Sequence, residues 1–117
     1  MIAPRSTPVS VGIGPLAPDD VVAVARYRVP VVIDPAALSE VAASRALIVA
    51  LADDVEPHYG ISTGFGALAT TFIAEDRRAQ LQRSLIRSHA AGTGGEVEAE
   101  VVRALMLLRL STLCTGR

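Results

Sequence analysis

From Val101 to Cys114 the chain reads VVRALMLLRLSTLC, with apolar residues on nearly every side of a 3.6-residue turn and only Arg103 and Arg109 charged. A surface helix in a domain of 117 residues does not normally look like this, so the segment demands neighbours all round. It is too short to cross a bilayer and Arg109 interrupts it, which predicts a buried helix. The remaining helical stretches are short, and the final LCTGR stops the pattern without cap, proline or polar tail. Much of the partner surface is therefore expected on another subunit or in sequence beyond these residues.

Composition narrows the rest. Half of the residues are hydrophobic, yet there are four aromatics and no tryptophan, so the core must come from Leu, Val, Ile and Ala. That favours packed helices over a sandwich. All eleven basic residues are Arg, but twelve carboxylates bring the net charge to −1 and no basic block exists, which argues against nucleic acid. Cys114 has no partner for an internal disulfide and reads as a small buried residue compatible with a reducing compartment. The N-terminal MIAPRSTPVSVGIGPLAP carries Pro4, Pro8, Pro15 and Pro18 and lacks the apolar run of a secretory signal, so the chain is expected in the cytoplasm, away from membranes.

The fold expected is mainly α, a single segment with a short edge strand and a Gly-rich loop. Residues 1–17 read as an irregular lead, 18–53 as helix, strand and helix, 54–74 as the loop, and 75–117 as two helices. Pro18 suits a first helical position, with Asp19 and Asp20 on the positive end of a helix running to about Tyr27. Val29 to Asp34 has strand composition, and Pro30 confines it to an edge or a strand start. Asp34 and Pro35 form an N-cap and N1 pair, after which Ala37, Val41, Ser44, Ile48 and Leu51 mark one helix face to bury. A third helix is predicted from Glu75 to about Ala90, with Leu81, Leu85 and His89 on one stripe. Gly92 to Gly95 ends it, and Glu96, Glu98 and Glu100 precede the last helix.

The loop HYGISTGFGA, residues 58–67, is the most site-like stretch, because Gly60, Gly64 and Gly66 allow tight backbone turns and close approach. It lacks the GK[ST] of a P-loop and the spacing of a dinucleotide fingerprint. His58 and His89 are the only histidines, and neither is joined by cysteine or carboxylate at ligand spacing, so no metal is predicted. Residue type alone leaves Tyr59 open between an anchor that buries its ring and a reagent. His89 is likewise open between a histidine satisfied at a helix C-terminus and a ligand contact. Ser62 and Thr63 are read as turn formers bonding to local backbone.

Tyr59-Gly60-Ile61-Ser62-Thr63-Gly64-Phe65-Gly66, followed by Leu81-Gln82-Arg83-Ser84-Leu85 and Ser88-His89-Ala90-Ala91-Gly92, closely resembles the aromatic amino-acid ammonia-lyases, and within them the histidine ammonia-lyases. Val102-Arg103-Ala104-Leu105-Met106 and Arg109 extend the match over essentially the whole chain. The resemblance implies the N-terminal part of a mainly helical, cytoplasmic homotetramer that eliminates ammonia from L-histidine to give urocanate in histidine catabolism. It implies that Tyr59 is the base removing the β-proton, that Ser88 and His89 face the substrate side chain, and that Gly60, Gly64 and Gly66 let the loop close. It also implies a 4-methylidene-imidazol-5-one cofactor, formed autocatalytically from Ala-Ser-Gly.

Two residues depart from the family pattern: His58 stands where an aliphatic residue is common, and Ser62 where asparagine is common. The larger departure is the cofactor source, since the only Ala-Ser is Ala43-Ser44, followed by Arg45 and upstream of the tyrosine loop. The β-proton of an amino acid is weakly acidic and ammonia leaves poorly, so a side-chain base alone faces two problems that ordinary side chains seldom solve. These residues alone are therefore expected to be inactive. An unassisted phenol near pKa 10 is phenolate in about one molecule per thousand at pH 7, so the loop amides near Gly60, Gly64 and Gly66, or a positive charge, are expected to favour the ionised form. Alternatives are a tyrosine or phenylalanine ammonia-lyase or aminomutase, and a non-catalytic helical assembly module.

Overall fold

The computed structural model describes residues 6–117, so Pro4 lies outside the described residues. Where the sequence reads as one segment, the described chain divides into two compact units, one formed up to Arg45 together with Glu96–Arg117, the other Ala46–Gly95. The fold is mainly helical, as the composition implies.

The first unit opens with a strand where an irregular lead was expected. β1 (Val9–Val11) pairs in parallel with β2 (Val31–Ile33), Val9 opposite Val31 and Val11 opposite Ile33. Val9 and Val11 are fully buried and Ser10 is exposed, the alternation of a strand with one covered face. Between Pro8 and Gly12 the strand is too short for its period to stand out in sequence. Pro30 sits just before β2, lacking an N–H but accepting from Val9 N–H at 2.8 Å through its carbonyl.

The connection is α1 (Pro18–Ala25), with Pro18 at its start and Asp20 Oδ2 accepting from the Ala17 amide at 3.2 Å. It ends earlier than predicted because Arg28 takes φ +56 and the amides of Arg28 and Val29 bond back to the carbonyls of Val24 and Ala23. The bond from Arg28 to Val24 is the 5→1 bond of an αL ending, with arginine where glycine is usual. Asp34 Oδ1 accepts from the Ala36 amide at 2.8 Å and so starts α2 (Pro35–Ala52), which runs from the first unit into the second. Of its predicted buried face only Ala37 is buried, and Val41 is exposed. By length and composition alone α2 could span a bilayer, with mean hydropathy 1.4. Glu40 and Arg45 within it would be costly there.

The last helix, α4 (Ala99–Leu113), packs on α1. Leu107 and Cys114 join Val9, Val11, Ala23, Val24, Val29 and Ala37 in the core. Arg103 Nε donates to the Ala25 carbonyl at 2.7 Å, and Arg26 pairs with Glu100 at 3.1 Å, so polar contacts flank the apolar seam. The rest of α4 stays uncovered, with Val101, Val102, Leu105, Met106, Leu108 and Leu113 exposed, in keeping with the expectation that much of its partner surface lies outside these residues. Its end does have a stop signal: Gly116, at φ +68, donates its amide to Leu113, and a Cβ there would lie 2.9 Å from the Glu40 backbone oxygen. Only glycine meets both conditions.

Candidate functional site

The second unit holds the tyrosine loop and α3 (Glu75–His89). Far from being pliable, the loop is densely cross-bonded. The His58 carbonyl accepts from the amides of Ile61, Ser62 and Thr63 at 3.1, 3.0 and 3.3 Å, and the His58 amide donates to Ser62 Oγ at 2.9 Å. Thr63 Oγ1 accepts from the Gly60 amide at 3.2 Å and donates to the Gly64 carbonyl at 3.1 Å. Ser62 and Thr63 are buried and bond to local backbone, the part their residue types suggested.

Two glycines are required by this winding. Gly60 has φ +70 and lies against the Phe65 ring, which an added Cβ would approach to 2.8 Å. Gly64 is buried, and a Cβ there would sit 2.5 Å from Leu68 Cβ, where the short 3-10 turn Gly66–Leu68 crosses it. Beyond that turn the chain returns, with Gly64 N–H donating to the Thr71 carbonyl and Ile73 N–H to the Ser62 carbonyl. The Gly60 and Gly64 amides therefore serve the loop and do not reach the Tyr59 hydroxyl, contrary to the expectation that they would favour its phenolate.

Arg78 closes the loop at its base. Its Nε donates to the Ile73 carbonyl at 3.1 Å and its Nη1 to the Ala52 carbonyl at 2.8 Å, while the guanidinium lies 5.5 Å from the Phe72 ring centroid. It satisfies a carbonyl left over at the end of α2 and stacks on an aromatic face, which one planar fork can do at once. Its place on the largely polar face of α3 gave no hint of this.

Tyr59 is 65% exposed, held by an edge-on contact with Phe65 at 5.8 Å between centroids, and its hydroxyl bonds to none of the described residues. The anchor reading is overturned: an anchor buries its ring and satisfies its hydroxyl. Instead Tyr59 lines an open cavity of about 640 Å³, together with Phe65 and Leu68 from the loop. α3 also lines it, through Leu81, Leu85 and His89 of the predicted stripe and through Ser84 and Ser88.

The end of α3 fixes the polarity of this wall. His89 Nδ1 lies 2.9 Å from the Leu85 carbonyl, which can only accept, so Nδ1 carries the proton. In the neutral ring Nε2 is then an acceptor. Ser88 Oγ donates to the same carbonyl at 2.8 Å and lies 3.1 Å from His89 Nδ1, so one of its lone pairs can meet that N–H. A cavity lined by leucines and phenylalanine thus carries an acceptor at His89 Nε2, with Ser88 beside it, and Tyr59 lines the same cavity.

His58 also has a side-chain partner that was not foreseen. Its Nε2 lies 2.8 Å from Asp54 Oδ2, and Asp54 Oδ1 accepts from the Glu56 amide at 3.3 Å. The hydrogen bond from His58, aided by the Glu56 amide, holds the Asp54 carboxyl below the usual carboxylate range. A spacing of four residues between Asp54 and His58 was the available signal. Among the described residues no three His, Cys, Asp or Glu side chains group as metal ligands.

The chain belongs to the aromatic amino acid lyase family, whose model matches residues 16–117. It is similar to the histidine ammonia-lyase of Streptomyces avermitilis, 54% identical over 108 residues, 92% of this chain and 21% of that protein. The histidine ammonia-lyase of Treponema denticola is 43% identical over 109 residues, 93% of this chain and 22% of that protein. Among solved structures, tyrosine aminomutase from Streptomyces globisporus superposes with TM-score 0.86 at 32% identity, over 94% of this chain and 21% of that one. Ergothionase from Treponema denticola gives 0.90 at 32% identity, over 94% and 22%. The chain thus spans about a fifth of the length of the relatives it matches.

Proposed function

We propose that this chain is the N-terminal part of a histidine ammonia-lyase, in which Tyr59 takes the β-proton of L-histidine and ammonia leaves to give urocanate. One observation carries the reading: Tyr59 and the pair Ser88 and His89, far apart in sequence, line a single cavity. A base held in the same cavity as a side-chain contact supplies the proton-transfer half of β-elimination from an aromatic amino acid. Similarity to histidine ammonia-lyases at 54% identity supports the substrate.

The wall chemistry supports it as well. An acceptor at His89 Nε2, with Ser88 beside it, suits a ligand ring that carries an N–H, as imidazole does. Leu81 and Leu85 give the cavity apolar surface for such a ring, and Phe65 packs edge-to-face with Tyr59. A phenylalanine ring has no donor and leaves that acceptor unpaired, a loss that a polar site penalises.

In this family an electrophilic 4-methylidene-imidazol-5-one supplies the activation of the amino group as a leaving group. Ala43-Ser44-Arg45 does not fit as its source: the glycine is missing and the tripeptide lies inside α2. This chain's own residues hold the substrate side chain, present the Tyr59 hydroxyl and pack the loop beside them. Alone, the 117 residues are without turnover. The reading extends to a cytoplasmic homotetramer, on family resemblance.

A second reading has an observation behind it, since tyrosine aminomutase superposes on 94% of the chain and a phenol O–H can also donate to His89. A substrate panel on the full-length protein decides between them. Histidine turned over in preference to tyrosine and phenylalanine supports the first reading, and preference for tyrosine overturns it.

A further inference from the structure

We infer that His58 is a positioning residue for Tyr59, locked by its Nε2 contact with Asp54; this rests on the reading of Tyr59 as the base. Tyr59 is fixed by almost nothing of its own: its ring is 65% exposed and touches Phe65 by an edge, and its hydroxyl is without a partner among the described residues. Its direction is therefore set by the backbone on either side. On one side Gly60 is committed to φ +70. On the other, His58 is the most heavily bonded residue of the loop, accepting three amides at its carbonyl and donating its amide to Ser62.

Those backbone bonds fix the turn from residue 58 to 63 but do not tie it to what precedes it. The imidazole does. Because an ionised carboxylate only accepts, Nε2 carries the proton toward Asp54 Oδ2, at 2.8 Å. Asp54 is itself oriented by the Glu56 amide, so the carboxylate is held ready without help from His58. The Asp54–His58 bridge connects the start of the loop, two residues beyond α2, to the residue immediately before the base. Catalytic groups lose rate steeply with small displacements, so a lock one residue away bears on the chemistry.

The anchor can be read from amide hydrogen exchange in the 117-residue chain, with the α4 amides as a control for folding. Loss of a charge-assisted hydrogen bond is expected to speed exchange at Ile61, Ser62 and Thr63 about tenfold in His58→Val. His58→Gln places an amide N–H where Nε2 stood and should stay within about twofold of the original. Asp54→Ala, which leaves His58 in place without its acceptor, should behave like His58→Val. Unchanged exchange in both His58→Val and Asp54→Ala overturns the inference. In the full-length protein His58→Val should lower kcat about tenfold with KM little changed, and His58→Gln should restore it. If Tyr59→Phe is inactive while His58→Val turns over normally, the positioning role fails alone. If Tyr59→Phe remains active, the base assignment fails, whatever the exchange data show.

Discussion

Arg78 Nη1 donates to the carbonyl of Ala52 at 2.8 Å, joining the helix that ends in Ser88 and His89 to the residue from which the tyrosine loop departs. With the second bond to Ile73, one guanidinium holds both feet of the loop. Arg78→Ala should raise the loop's local opening by about 1–3 kcal/mol, read as faster exchange at Ile73 and Gly64. Arg78→Lys keeps the charge but not the fork, and should rescue only part of the effect.

Gly64 tests the packing inside the loop. An alanine methyl would meet Leu68 Cβ at 2.5 Å and the Leu68 carbonyl oxygen at 3.1 Å, so Gly64→Ala should destabilise the loop by about 1–3 kcal/mol in denaturant titration. Thermolysin cleavage within residues 58–72 reports the same loss. A Gly64→Ala chain as resistant as the original would show that the turn at Leu68 gives way freely.

The αL ending of α1 supplies a stabilising change. Arg28 holds φ +56 at a position where glycine carries no steric penalty, so Arg28→Gly should raise stability by about 1 kcal/mol despite glycine's looser unfolded state. A fall in the denaturation midpoint would contradict the strain argument.

Acid stability follows from the Arg26–Glu100 pair. The hydrogen bond and charge of Arg26 lower the Glu100 pKa, so the folded state binds this proton less readily than the unfolded chain. The pair's contribution is then complete above the ordinary carboxylate range, near pH 4.3, and is lost as pH falls through the lowered folded pKa. Glu100→Gln should melt lower than the original at pH 7, with the difference closing in strong acid and shrinking in high salt.

Much of this was legible in sequence because the signals were local. Pro18 and Asp34-Pro35 marked helix starts, Glu75 opened α3 as predicted, and the spacing of Leu81, Leu85 and His89 picked out the cavity wall. β1 escaped because three residues beside a proline carry too little periodicity, and its identity rests on pairing with Val31 to Ile33. The role of Arg78 escaped for a different reason: a guanidinium on a polar helix face is ordinary until the fold brings Ala52 and Ile73 beside it. Residue type left Tyr59 open between anchor and reagent and only the family resemblance pointed to a base, while its 65% exposure depends on how the loop is wound, which no local pattern carries.

The central claim is that Tyr59 is the base of an ammonia-lyase acting on histidine, and urocanate formation by the full-length protein carrying Tyr59→Phe tests it most directly. Phenylalanine keeps the ring against Phe65 and removes only the hydroxyl, so the account predicts a loss of at least about a thousandfold in kcat with the fold and the cofactor absorbance intact. Turnover within a few-fold of the original would contradict it.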